Sequence, residues 1–255
     1  MALSLDLTGR VVLVTGGHRG VGAGISSVFR EAGATVVTCG RSAFEGGDHR
    51  ICDVRDPEAA AGLVREIAAD HGRLDVLVNN AGGAPYALAA DASARFHAKV
   101  LDLNLAAPLV LMQAANDVMQ RQSDGGSIVN ISSVSALRPS PGTAAYGAAK
   151  AGLDSLTASL AVEWGPRVRV NSIDVGLVRT EQSDLHYGGE DGVAAIERTI
   201  PMRRLATPDD VGNVAVFLAS SMAAYVTGAR IECHGGGEPP LFQHVVQQLN
   251  GEGHE

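Results

Sequence analysis

The feature that most restricts how this chain can fold is an alternation. Short, continuous apolar runs are separated by segments long enough to be helices. Val11-Val12-Leu13-Val14 is apolar at every position rather than at every second one. Successive strand side chains point to opposite faces of a sheet, so an uninterrupted run suits a strand covered on both sides. Runs at 34–38, 49–53, 74–78, 127–131, 168–173 and 229–233 continue the series, and 24–32, 57–71, 103–122 and 146–164 have helical length between them. Strands connected through helices pair in parallel by crossovers. The expected fold class is therefore α/β: a doubly wound parallel sheet of about seven strands, with helices on both faces.

A length of 255 residues gives one sizeable core and little room for a second. Residues 1–237 read as a single domain, and 238–255, opening with Glu238-Pro239-Pro240, as an appended C-terminal tail. The formal charge of −8, with basic residues scattered and Arg203-Arg204 the one local doublet, speaks against a nucleic-acid partner. The eight histidines are far apart, and Cys39, Cys52 and Cys233 form no CxxC, so no metal is expected. The first residues lack a basic region followed by an apolar one, which predicts no secretory signal. The apolar stretch 211–229 is broken by Asn213, Ser220, Ser221 and Gly228, which suits an amphipathic helix better than a membrane span. A cytoplasmic protein with no membrane partner is expected.

Thr15-Gly16-Gly17-His18-Arg19-Gly20-Val21-Gly22 directly follows the first strand run and precedes a helix. Glycines at 16, 20 and 22 permit positive φ and close approach of the backbone to a pyrophosphate, and a helix N-terminus offers N–H donors and partial positive charge. The spacing is Gly-x-x-x-Gly-x-Gly rather than Gly-x-Gly-x-x-Gly. A tight structural turn competes with this reading, but the position after the first buried strand favours a dinucleotide.

Tyr146 and Lys150 stand four apart in a helical segment and so share one face. A phenol ionises near pH ~10 and a lysine near ~10.4, and a phenolate useful at neutrality needs a shift of about three units. A nearby ammonium in a partly desolvated site, with an oxidised nicotinamide, supplies a shift of that sign. Tyr146 would then accept the proton of an alcohol or return it to a carbonyl. Ser133 closes a buried strand, at the sheet end where open α/β folds place ligands.

Five motifs in order, Thr15-Gly-Gly-His-Arg-Gly-Val-Gly22, Asp53-Val54, Asn79-Asn80-Ala81-Gly82, Asn104 and Ser133 with Tyr146-x-x-x-Lys150, resemble those of the short-chain dehydrogenase/reductase family in its short single-domain form. The resemblance covers about residues 7–237 and implies a Rossmann-type sheet, a dinucleotide-binding catalytic domain and an NAD- or NADP-linked alcohol/carbonyl reaction. It implies that Ser133, thirteen residues before Tyr146, polarises the substrate oxygen, with Ser132 less favoured. Lys150 would also hold the nicotinamide ribose, and Asn104 would orient a proton-relay water. For the cofactor it implies contacts from Gly16, His18, Arg19, Gly20, Val21 and Gly22, from Asp53 to the adenine amino group with Val54 beside the base, and from Asn80, Ala81 and Gly82. Tyr146, Lys150, Gly176, Val178 and Thr180 would border the nicotinamide. Where the family often carries Pro-Gly, this chain has Asp174-Val175-Gly176.

The second strand run leads into Cys39-Gly40-Arg41-Ser42, without the acid that NAD-preferring members usually place at Gly40. Arg41, with Arg19, suits a 2′-phosphate, so NADP(H) is favoured and NAD(H) remains open. Residues 178–202 read as a substrate lid, with Ser135, Tyr86, His186 and Tyr187 as substrate contacts. The reaction expected is interconversion of a secondary alcohol and a ketone. Similarity to actinobacterial members acting on steroid- or polycyclic-derived hydroxyacyl-CoA intermediates points to a catabolic substrate. The alternatives are a 3-oxoacyl thioester reductase of fatty-acid synthesis and, in another class, a non-catalytic cofactor-binding redox sensor or scaffold. The resemblance also implies a homotetramer or homodimer, with 103–122 and 146–164 at its interface.

Overall fold

The computed structural model describes residues 5–181, 183, 187–240, 242 and 246. Its strands are β1 (Val11–Thr15), β2 (Thr35–Gly40), β3 (Asp48–Ile51), β4 (Val76–Asn79), β5 (Gly126–Ile131), β6 (Val168–Val175) and β7 (Arg230–Cys233). Its α-helices are α1 (Gly20–Glu31), α2 (Pro57–His71), α3 (Ala94–Leu101), α4 (Ala107–Met119), α5 (Ala144–Trp164), α6 (Gly189–Glu197) and α7 (Pro208–Ala219). The strands form one seven-stranded sheet in the order β3-β2-β1-β4-β5-β6-β7, every pairing parallel.

The continuous apolar runs are explained by two separate cores. Val11 and Leu13 of β1 join Val37, Leu77 and Ile128 in a layer closed by Leu63 and Ile67 of α2, Leu111 and Met112 of α4, and Leu153 of α5. Val12 and Val14, one residue out of phase, join Val36, Val78 and Ile173 against Ile25 and Phe29 of α1 and Val211 and Val216 of α7. All five side chains of β1 are buried, because neither face of the strand meets water.

Local signals set the helix ends. Asp56 accepts hydrogen bonds from the Glu58 and Ala59 amides, Pro57 opens α2, and Gly72 ends it at φ 75°. Thr207 and Asp210 form a reciprocal capping box at the start of α7, with Pro208 in its first turn. The first helix starts at Gly20, four residues before the expected 24, because the phosphate-loop glycines curl directly into it. The expected helix 103–122 is instead the later part of a longer segment: α3 passes through a π turn, Asp102–Ala106, into α4, which ends at Met119. Neither α3 nor α6 was anticipated. The continuous segment Ala94–Met119 is long and apolar enough by composition to cross a membrane, but Leu111, Met112, Ala115 and Met119 are fully or almost fully buried against the sheet.

From β1 the chain steps outward to β2 and β3, then crosses back to place β4 on the other side of β1. The direction of winding reverses there, which leaves a crevice at the C-terminal ends of β1 and β4.

Candidate active site

The crevice opens on the glycine loop. Gly16 and Gly20 have φ of 64° and 50°, a region that disfavours any side chain. Gly22 lacks room rather than φ freedom: a Cβ there would lie 2.3 Å from the Gly16 carbonyl oxygen and 2.5 Å from Asn80 Nδ2. Asn80 Nδ2 donates to the Thr15 carbonyl at 2.9 Å, and the amides of Asn80 and Ala81 donate to Thr15 Oγ1 at 3.0 and 2.9 Å. Thr15 therefore ties the two loops together, a part that sequence reasoning did not assign to it. Val21 packs at the margin of the α1/α7 core. The Gly20 amide donates to Glu181 Oε1 at 3.2 Å. That carboxylate oxygen stands in for a phosphate oxygen at the N-terminus of α1.

At the outer end of the loop, the His18 ring lies with its centroid 5.5 Å from that of Phe44 and 5.0 Å from that of His49. Burial, with His49 and Arg19 nearby, pushes His18 below the ordinary histidine range. A Cβ on Gly40 would lie 2.6 Å from His18 Cε1, so the imidazole fills the space an acid at position 40 would need. Arg19 and Arg41 are exposed at the same edge. Asp53, expected at the adenine, is engaged by Arg55, whose Nε and Nη2 donate at 2.9 and 2.5 Å; this pairing holds the carboxyl at about 2. Val54 is buried in the core beneath it.

At the inner end, α5 carries Tyr146 and Lys150 on one face, with Lys150 Nζ 5.6 Å from the centre of the Tyr146 ring. Lys150 is buried and donates to the Ile131 carbonyl at 2.7 Å. Burial lowers its ammonium to about 8, with Asp154 acting in the opposite direction. The expectation that Lys150 depresses the Tyr146 phenol is not met in the protein alone. Desolvation pushes the phenol upward, and the opposing influence is a hydrogen bond with Ser133. Ser133 Oγ also accepts from the Ser135 amide at 3.1 Å, which fixes its place at the end of β5. Ser132 turns the other way and is buried, its hydroxyl reaching toward the Lys150 carbonyl at 3.4 Å.

Asn104 occupies the π turn and is fully buried. Its Oδ1 accepts from the Gly83 amide at 2.8 Å, and its Nδ2 donates to the carbonyls of Gly83 and Val100 at 3.0 and 2.9 Å. A Cβ on Gly82 would stand 2.7 Å from Asn104 Oδ1 and 3.3 Å from Lys150 Nζ, so this glycine lets both converge on the crevice. Gly176 meets His234 closely, where a Cβ would fall 2.7 Å from that of the histidine. Val178 bridges to Ala206, and the Thr180 amide donates to Ser183 Oγ at 2.8 Å.

The segment after β4 meets the turn before α5. The Ala87 amide donates to the Gly142 carbonyl at 2.8 Å, and the otherwise exposed Tyr86 lays its ring over Gly142. Ser135, Arg138, Ser140 and Pro141 line a cleft of about 390 Å³ beside the start of α5. Tyr187 packs with the small apolar cluster of Val193, Ile200 and Leu205; His186 lies outside the described residues. Among the described residues no group of three His, Cys, Asp or Glu side chains could hold a metal ion. Sequence reasoning also missed the buried carboxyls Asp154 and Asp174 behind Lys150. The available signals were the i,i+4 position of Asp154 and the unusual Asp174-Val175-Gly176.

A nicotinamide dinucleotide fits this crevice. A carboxylate already caps α1 where a pyrophosphate belongs, Gly82 leaves the space between Asn104 and Lys150 open, and the end of β2 carries no competing acid.

Residues 16–238 match a family model described as enoyl-(acyl carrier protein) reductase. The chain is 38% identical to D-threitol dehydrogenase of Mycolicibacterium smegmatis, over 92% of this chain and 96% of that one. It is 33% identical to human dehydrogenase/reductase SDR family member 4, over 91% of this chain and 88% of the relative. The solved structure of aldohexose dehydrogenase from Thermoplasma acidophilum superposes with a TM-score of 0.87 at 30% identity, covering 92% of this chain and 96% of the other. Over nearly the whole chain and at these identities, the chain belongs to the short-chain dehydrogenase/reductase family of oxidoreductases.

Proposed function

We propose that this protein interconverts a secondary alcohol and a ketone, with hydride exchanged between the carbinol carbon and a bound nicotinamide. The observation that carries the reading is the meeting of Tyr146 and Lys150, from one face of α5, with Ser133 at the end of β5. In oxidation Tyr146 takes the hydroxyl proton as the hydride leaves the same carbon; in reduction it returns that proton to the carbonyl oxygen. Ser133 donates to the substrate oxygen. Lys150 steadies the phenolate and would hold the ribose hydroxyls of the nicotinamide, and Asn104 braces the Gly83 loop beside Lys150, from which protons would leave. Tyr146→Phe removes the proton carrier while keeping the ring. Turnover should fall by about 10²–10⁴-fold, with cofactor affinity measured by fluorescence nearly unchanged; undiminished turnover overturns the mechanism.

NADP(H) is the proposed cofactor. The exposed Arg41 and Arg19, with the His18 ring filling the space an acid at position 40 would need, support this reading. A charge-assisted contact is worth about 1.5–3 kcal/mol. Arg41→Ala should therefore weaken NADPH binding by roughly ten- to a hundred-fold and leave NADH binding almost untouched. Equal losses for both cofactors argue against the assignment.

The substrate we infer is a small polar ketone or alcohol. The cleft at the start of α5, lined by Ala144, Gly147 and Ala148 of that helix, presents the hydroxyls of Ser135 and Ser140 and the Arg138 guanidinium, and two relatives described above are named for a polyol and an aldohexose. A turnover panel of polyols, sugar acids, hydroxysteroids and hydroxyacyl-CoA thioesters separates this from the steroid or CoA reading, which Arg138 alone would serve. Residues 1–237 are taken as the catalytic domain. The ion pair of Arg138 with Glu238 at 2.6 Å supports a tail that begins against the substrate wall. Val162, 85% exposed on α5, supports self-association through that helix.

A further inference from the structure

Behind Lys150 lies a pair of carboxyl groups that the reaction just proposed does not use. Asp154 and Asp174 are 4% and 0% exposed. Asp154 follows Lys150 by one turn of α5, and because helical side chains lean toward the N-terminus it tilts back toward the ammonium. Asp174 enters from the C-terminal half of β6. With both groups ionised, none of their four oxygens receives a well-formed hydrogen bond, although the Ser132 hydroxyl lies close to Asp174. A proton on one supplies the missing donor, since the two carboxyls face each other within hydrogen-bonding reach.

Two buried carboxylates in contact repel and are poorly solvated, so such a pair retains a proton that neither would hold alone. Burial and the charge of Asp154 hold Asp174 above the ordinary carboxylate range, while the Ser132 hydroxyl and Arg230 work against them. Glu232, the neighbour of Asp174 across β6 and β7, is engaged by His234 at 2.5 Å. On the other side, Lys150 faces Tyr146, the Ile131 carbonyl and Asp154, and Asp154 is the group that favours its charge.

We propose that Asp154 and Asp174 are positioning residues that share one proton and place a single negative charge behind Lys150, keeping its ammonium charged for Tyr146. The proposal rests on the reading of Tyr146 and Lys150 as the acid–base pair. Asp174 carries the proton that lets both stay buried, and Asp154, one turn of α5 from Lys150, is the member nearer the ammonium. The two positions are therefore unequal. Asp154→Asn removes the charge, whereas Asp174→Asn replaces a protonated acid by an amide that still donates to Asp154.

The sequence contains two lysines, Lys99 and Lys150, so lysine labelled with ¹³C at the ε position gives two resonances, assigned with Lys99→Arg. Titrated by NMR in the full-length protein without cofactor, Lys150 should ionise below Lys99. Asp154→Asn should move Lys150 down by about one pH unit or more, and Asp174→Asn should leave it in place or raise it. No movement in either variant, or the same downward movement in both, overturns the proposal. Should Asp154→Asn not fold, the carboxyl carbons of ¹³C-aspartate in the unmutated protein decide instead. One carboxyl retaining its proton well above the ordinary range supports the shared proton, and its absence overturns it. None of these readouts needs turnover, so failure of the oxidoreductase reading would show separately as an inactive unmutated enzyme with the lysine shifts intact.

Discussion

Gly22, where the turn after β1 runs into α1, leaves no room for even a methyl group. The Cβ of an alanine would sit 2.3 Å from the Gly16 carbonyl oxygen, against backbone that cannot swing away. Gly22→Ala should weaken NADPH binding at least ten-fold, by roughly 1.4 kcal/mol or more, and lower the thermal midpoint, both read in one fluorescence melt with and without cofactor. An unchanged midpoint and affinity would show that the loop relaxes more freely than its contacts imply. At the same scale, Tyr146 and Lys150 could be picked out from spacing because helical geometry alone puts residues four apart on one face, whereas Ser133 was implied by the family resemblance. The partnership of Asp154 with Asp174 could not: the two lie on different elements, and only the docking of α5 on β6 makes them neighbours.

Among the elements, α7 shows how much depends on a cap. Thr207 accepts from the Asp210 amide at 3.2 Å, and Asp210 Oδ2 accepts from the Thr207 amide at 2.7 Å. Arg204 holds the same carboxylate at 2.5 Å, which keeps Asp210 at about 2. Thr207→Ala leaves the first-turn amides without this acceptor and should cost about 1 kcal/mol, measured as a shift of the urea midpoint at constant slope. Because Gly24 of α1 lies against Pro208, with no room for a Cβ (2.3 Å), loosening α7 should also reduce hydrogen-exchange protection in α1. Full protection of α1 in the variant would show that the two helices open independently. The cap and the proline were readable in Thr207-Pro208-Asp209-Asp210. The π turn at the start of 103–122 was not, since it accompanies Asn104 reaching back to Gly83 and Val100 rather than a local preference.

For the molecule as a whole, the buried charges set how stability follows pH. Lys150 ionises near 8 in the folded chain against an ordinary 10.5. Between those values the unfolded chain binds the extra proton, so stability rises with pH; below about 8 the full cost of the buried ammonium is present. Asp174 behaves in the opposite sense. Its folded pKa is raised, so the folded chain holds the extra proton as pH climbs above the ordinary 3.8, and stability falls until the folded group also ionises. Both costs are present near neutrality. Asp174→Asn should therefore raise the urea midpoint at pH 7 relative to the unmutated chain and do so less at pH 4. An equal change at both values would mean that the carboxyl's titration does not contribute.

The sequence by itself determined the class of fold and the inner half of the site. Uninterrupted apolar runs require cover on both faces of a strand, glycines after β1 require a close turn, and a four-residue spacing places Tyr146 and Lys150 together. Only the tertiary structure decided what surrounds them. It put the His18 ring in the space beside Gly40, set Glu181 on the N-terminus of α1, kept the Tyr146 phenol high through burial, and closed α5 over the carboxyl of β6. Each of these depends on desolvation or on contact between distant segments, and neither is encoded in any single stretch of the chain.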